Sequence, residues 1–233
     1  MDILKLLIVV TGTGEFAGGK LETGLWLGEF THMYHNAKEC GYEVTVANPN
    51  GGDTPVDPVS LKPMMLDDLS KNYWDSPVFR EILEHAKSFD EVSRQRFDCV
   101  YLAGGHGAMY DFPDNTVLQD IIRKHYEDDG LVAAICHGVS GLLNVKLSDG
   151  EYLVRDKRLT GFSWFEESVA GRKNDVPFNL EADLKARGAR YKKALIPMTS
   201  EVVTDGNLIT GQNPSSSREM AKAIVRKLNK MVI

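Results

Sequence analysis

Cys136 and His137 stand side by side in Ala134-Ile135-Cys136-His137-Gly138, directly after an apolar run. A small residue two before a nucleophile and a glycine two after it is the pattern of an abrupt strand-to-helix turn. Those two neighbours meet beneath the nucleophile, where larger side chains would collide. A thiol held there lies at a helix N-terminus, whose positive end favours thiolate, and an adjacent imidazole can take or return its proton. The His137 amide is one candidate oxyanion donor. The glycine pair in Ala103-Gly104-Gly105-His106-Gly107 offers a second, which puts Gly105 and His106 beside the substrate. The chemistry predicted is addition of Cys136 to a carbonyl carbon.

Acids complete the constellation. On a helix of about 100° per residue, Glu29 falls within about 60° of the centre of the stripe formed by Trp26, Phe30 and Met33. Half-buried at that margin, its carboxyl would have a raised pKa and could share a proton with a thiol. Glu166 and Glu167, which follow the capping residue Ser163, are both candidates to orient His137, and spacing does not choose between them. Gly12-Thr13-Gly14 with Gly18-Gly19 lacks the third glycine of a dinucleotide motif and the lysine of a phosphate loop, so it reads as a flexible loop. His32, His35, His106 and Glu29 are the conceivable metal set, but residues three and six apart on a helix share a face poorly. Neither a metal nor a cofactor is expected.

These residues must be carried by alternating strands and helices. Ile3–Val10, Tyr42–Ala47, Phe97–Ala103 and Leu131–Cys136 read as strands. Helices are predicted over Leu21–Cys40 with Gly41 as the stop, over Ser76–Phe89, from Asp114 or Asn115 to about Asp128 with Gly130 as the stop, and after Pro214–Ser217. Asn48–Pro63 reads as a surface loop and Asn144–Gly161 as irregular turns. Glu201–Thr204 and Leu208–Thr210 flank Asp205-Gly206-Asn207 as a hairpin. The alternation implies a mostly parallel sheet between helices, with ligands at the carboxyl ends of the strands. One domain over 1–233 is expected, with inserted loop regions around 48–75 and 144–160.

Composition bounds the function. The 42% hydrophobic and 26% charged residues suit a packed core, and a net charge of −6 leaves no basic excess for nucleic acid. No run approaches the ~18 apolar residues of a membrane span. Three cysteines are too few for a disulfide framework and fit a reducing cytoplasm, with Cys40 and Cys99 merely packing.

Taken together, Gly24-Leu25-Trp26-Leu27-Gly28-Glu29, Ala103-Gly104-Gly105-His106-Gly107, Val132-Ala133-Ala134-Ile135-Cys136-His137-Gly138, Leu159-Thr160-Gly161-Phe162 and Thr210-Gly211-Gln212-Asn213-Pro214 resemble the ThiJ/PfpI superfamily. More narrowly they are similar to its branch of heat-inducible chaperones with glyoxalase III activity. The resemblance implies a flavodoxin-like, class I glutamine amidotransferase-like three-layer α/β sandwich, commonly dimeric. It places the nucleophile at Cys136, the histidine at His137, the thiol-contacting glutamate at Glu29 and, counting from Thr160-Gly161-Phe162, the triad acid at Glu167. The implied reaction is glutathione-independent conversion of methylglyoxal, a small 2-oxoaldehyde, to D-lactate, with glycated or unfolded proteins as further partners. Two other readings of the residues are a holdase chaperone in which Cys136 only senses oxidation, and a cysteine peptidase or amidase.

Overall fold

The computed structural model describes residues 3–231. In chain order the strands are β1 (Lys5–Val9), β2 (Glu43–Asn48), β3 (Asn50–Gly52), β4 (Ala86–Ser88), β5 (Cys99–Leu102), β6 (Leu131–Ile135), β7 (Arg158–Leu159), β8 (Arg190–Tyr191), β9 (Val202–Asp205) and β10 (Leu208–Gly211). The helices are α1 (Leu27–Glu39), α2 (Asp68–Trp74), α3 (Pro77–Glu84), α4 (Phe89–Val92), α5 (Ala108–Asp111), α6 (Thr116–Glu127), α7 (Trp164–Val169), α8 (Leu180–Ala186) and α9 (Ser217–Met231). Short 3₁₀ turns cover Cys136–Leu142 and Pro214–Ser216.

Eight strands form one sheet in the order β3-β4-β2-β1-β5-β6-β10-β9. Pairing is parallel from β4 through β10, and both edges, β3 and β9, are antiparallel. The central strands are apolar at successive positions because both faces are covered. Leu6 and Ile8 of β1 point to a core shared with α1, α3 and α9, whereas Leu7 and Val9 point to one shared with α4, α6 and α8. Two helical layers around a mostly parallel sheet match the alternation, and together they make the flavodoxin-like sandwich that the resemblance implied. The chain leaves β1 toward β2 on one side and returns to β5 on the other. Ligands bind at such a reversal, at the strands' carboxyl ends.

Four elements differ from expectation, each through a tertiary contact. Helix α1 starts at Leu27 rather than Leu21. The Leu25 amide donates to the Pro55 carbonyl at 2.8 Å and that of Trp26 to the Gly104 carbonyl at 3.0 Å, so this segment stays extended. The helix after Ser76 stops at Glu84, because Ala86–Ser88 joins the sheet and a capping box between Ser88 and Glu91 starts α4. Within the region expected to be loop, Asn50–Gly52 pairs at the sheet edge, and the Asp67 side chain accepts the Ser70 amide to cap α2. The left-handed residue after α6 is Asp129, with φ 61°, not Gly130. Aspartate tolerates that conformation, and the Asp129 and Gly130 amides close the helix on Tyr126 and His125. Cys99 is buried as expected, but Cys40, at the end of α1, is exposed.

Candidate active site

At the end of β6 the chain turns at Cys136 with φ 56°, a left-handed conformation that costs a non-glycine residue about 1–3 kcal/mol. The turn is possible because Gly138 has no side chain: a Cβ there would sit 2.5 Å from the Leu102 carbonyl oxygen of β5. The expected elbow therefore forms, and it sets the thiol at the carboxyl end of the internal strand β6. Cys136 Sγ lies 3.3 Å from His137 Nδ1, and His137 Nε2 lies 2.8 Å from Glu167 Oε2. A carboxylate only accepts, so Nε2 carries the proton and Nδ1 faces the sulfur as the free base. Phe162 packs on the imidazole at 4.5 Å between ring centres.

Glu167 holds a second histidine. Its other oxygen, Oε1, accepts from His106 Nε2 at 2.8 Å, and the two imidazoles lie against each other, tilted by 36° with centres 4.0 Å apart. Burial would raise the Glu167 carboxyl, but the electrostatic attraction and hydrogen bonds of the His137 and His106 imidazoles outweigh it and hold the group well below the usual carboxylate range. Burial, followed by the neighbouring His106, lowers His137, so it is neutral near pH 7. His106, His137 and Glu167 are the one group of described residues whose geometry can hold a metal ion, with ligand atoms within 4.8 Å of one another. The histidines considered for a metal on α1 go elsewhere: His32 bonds Asp67 and His35 bonds Tyr73.

Glu166 is placed quite differently. One of its oxygens closes a capping box on the Ser163 amide and hydroxyl, and the other accepts from the Met198 amide and Asn213 Nδ2. Both oxygens are spent on tying α7 to the C-terminal segment, which leaves Glu167 as the acid on His137.

Glu29 enters from α1 and is fully buried, not half-buried as the helix margin suggested. Its Oε2 accepts the Gly104 amide at 2.8 Å, while Oε1 has no hydrogen-bond partner among the described residues. Gly104 is wedged between the acid and the thiol: a Cβ there would lie 2.5 Å from Glu29 Oε2 and 2.9 Å from Cys136 Cβ. Burial, eased only slightly by the thiol and the Gly104 amide, raises the Glu29 carboxyl to about 8. Burial and the Glu29 charge push the Cys136 thiol up, and the His137 amide pulls the other way. The two groups titrate as a pair. With Glu29 protonated its charge is gone, and the remaining proton can be handed between carboxyl and sulfur. The amide of Gly104 is thus committed to Glu29. Gly105, with φ 106°, carries the loop on to His106.

Cys136, His137 and His106 form the floor of a cavity of about 550 Å³. Its walls include Phe16, Trp26 and Phe162. Trp26, assigned by spacing to the buried stripe of a helix, instead precedes α1 and lines this cavity. Phe16 gave no signal in the sequence, because the loop after β1 reaches the site only through the tertiary fold.

A chain so built has close relatives in shape and sequence. It is 30% identical to a glutathione-independent glyoxalase of Schizosaccharomyces pombe, over 95% of this chain and 94% of the relative, and 28% identical to glyoxalase 3 of Candida albicans, over 96% and 98%. Among solved structures it matches the 24 kDa rapid encystment protein of Francisella tularensis with a TM-score of 0.92 at 35% identity, covering 97% of this chain and 99% of that one. It matches glyoxalase III of Candida albicans with a TM-score of 0.86 at 27% identity, covering 96% of each. Residues 23–227 match the DJ-1/PfpI family, a span that takes in Glu29, the Gly104–His106 loop, the Cys136 elbow and Glu167. The chain belongs to the DJ-1/PfpI family.

Proposed function

We propose that this chain is a glutathione-independent glyoxalase of the glyoxalase III type, converting methylglyoxal to D-lactate in the cytoplasm. The observation that carries the reading is the placement of the Cys136 thiol at the cavity floor, between a basic His137 Nδ1 at 3.3 Å and the buried acid Glu29. Its relatives' activity supplies the substrate class.

The steps follow from these positions. His137 Nδ1 accepts the thiol proton, and Cys136 sulfur bonds to the aldehyde carbon while the C=O pair moves to oxygen. Glu29, protonated near pH 7, gives its proton to the alkoxide, and the amides of Gly105 and His137 stabilise the charge before transfer. His137, having released its proton to water, takes the proton from the former aldehyde carbon, and an enediolate forms as the electron pair moves to the ketone oxygen. The imidazolium protonates the neighbouring carbon, the former aldehyde hydroxyl returns its proton to Glu29 as its C=O re-forms, and water protonates the other oxygen. The resulting thioester of the 2-hydroxy acid is hydrolysed by water to free Cys136. One water is added, the aldehyde carbon is oxidised and the ketone carbon reduced, so no external electron carrier is required. Throughout, Glu167 keeps the imidazole proton on Nε2. Glycated proteins lose adducts in equilibrium with free aldehyde as that aldehyde is consumed.

The test is purified protein with methylglyoxal in glutathione-free, chelator-treated buffer, following D-lactate with an enantiospecific assay. Lactate is expected from the wild type, and no lactate above a Cys136→Ala background would sink the reading.

A further inference from the structure

The cavity is far larger than its proposed reaction requires. At about 550 Å³ it falls in the range that encloses drug-sized ligands, whereas methylglyoxal offers only a methyl group beyond its two carbonyls. Cys136, His137 and His106 supply polar atoms at the floor, and Asp57, Arg172, Ser215 and the exposed Glu22 and Lys62 supply others. Most of the remaining lining is apolar, from Phe16, Trp26, Met65, Phe162, Val169 and Met198. Of the charged groups in the lining, Glu22 and Lys62 are exposed, and the two that are less exposed are engaged. Asp57 is buried and accepts from the Thr23 hydroxyl and the Val59 amide. Arg172 bonds Asp175 at 3.1 Å and lies over the Phe16 ring. No buried charge is left to anchor an ionised tail.

We propose that the preferred substrates are 2-oxoaldehydes carrying a bulky apolar group, aryl or extended alkyl, on the ketone carbon. The dicarbonyl head meets Cys136 and the two histidines, and the tail fills the aromatic and methionine-lined walls. This inference rests on the glyoxalase reading above and specifies its substrate class. Each methylene buried against those walls lowers the transition state by about 0.8 kcal/mol, about fourfold in kcat/KM. Atoms balance as for methylglyoxal, since the tail takes no part.

The experiment measures kcat/KM of the full chain for alkylglyoxals from methyl to hexyl and for phenylglyoxal, with the 2-hydroxy acids quantified by mass spectrometry. The expected result is a rise of at least tenfold from methyl to butyl, with phenylglyoxal above methylglyoxal. A flat or falling series with methylglyoxal still consumed overturns the inference and leaves the glyoxalase reading standing. Consumption of none of the aldehydes brings down both. Val169, at the end of α7, is 59% exposed, so Val169→Asp should fold. It places a charge on the apolar wall, and the hexyl-to-methyl ratio of kcat/KM should fall at least tenfold. An unchanged ratio in a folded variant also overturns the assignment.

Discussion

Glu29 is a carboxylic acid with no access to water and one oxygen unpartnered, beside the thiol it is proposed to serve. Its burial has a thermodynamic consequence. A pKa of about 8 in the fold, against an ordinary 4.5, means that the folded chain binds more protons than the unfolded one between those values. The stability associated with protonated Glu29 is therefore fully present below about 4.5 and is lost as pH rises through about 8. Glu29→Gln keeps an acceptor for the Gly104 amide but has no proton to lose. Its melting temperature should gain on the wild type steadily from pH 5 to pH 8, while kcat for methylglyoxal falls by about 10²-fold or more. A gap that does not change with pH would show that the carboxyl is not buried as an acid. The adjacent glutamates separate in the same way. Glu167→Gln can donate to His137 and disturb its tautomer, so kcat should drop by about 10²–10⁴-fold, and since one of its two histidine partners then faces a donor, stability should fall by about 1–3 kcal/mol as well. Glu166→Gln should leave kcat within a few-fold and cost about 1–3 kcal/mol of stability, read by denaturant unfolding, because a donor then faces donors.

Two elements position most of this chemistry. The β6 elbow depends on the approach of Gly138 to β5. Gly138→Ala must push two central segments apart at a 2.5 Å contact with backbone, and should yield little folded protein, as judged by circular dichroism. Helix α7 depends on its capping box. Ser163→Ala should cost about 1 kcal/mol, which lowers the melting temperature by about 2–4 °C in a chain of this size. The elbow was legible because small–x–Cys–x–Gly after an apolar strand has one steric meaning. The start of α1 was not, since the apolar spacing runs on through Leu21–Trp26 and only the Pro55 and Gly104 carbonyls hold that stretch extended. Helix α2 was hidden too: its cap, Asp67, follows a stretch dominated by turn residues, and its packing partners are on α1 and α3.

Across the whole molecule, charge and site are decoupled. The net charge is only −6 over 233 residues, and among the described residues no helix is long and apolar enough to cross a membrane. A neutral aldehyde entering an apolar cavity feels little of that field. Accordingly, kcat/KM for methylglyoxal should change less than about twofold between about 0.01 and 1 M ionic strength, over which the Debye length shrinks from about 30 to 3 Å. A steep salt dependence would point to a charged substrate instead. The sheet order brings the ends of β1, β5 and β6 together, and that is why residues as distant as Phe16, His106 and Cys136 line one cavity.

Local chemistry and periodicity determined the α/β alternation, the elbow and the pairing of Cys136 with His137, because each is a matter of neighbours within a few residues. Three features have their physical reason in the tertiary structure, although the resemblance had already pointed to one of them, Glu167. Glu29 is sealed rather than marginal because the Gly104 loop closes over α1. Glu167 rather than Glu166 faces His137 because the cap and Asn213 consume the other. His106 joins the same carboxylate across 61 positions of sequence. Helical spacing fixes a side chain's direction on its own element, but what lies in that direction depends on how the elements pack, and no local pattern encodes it.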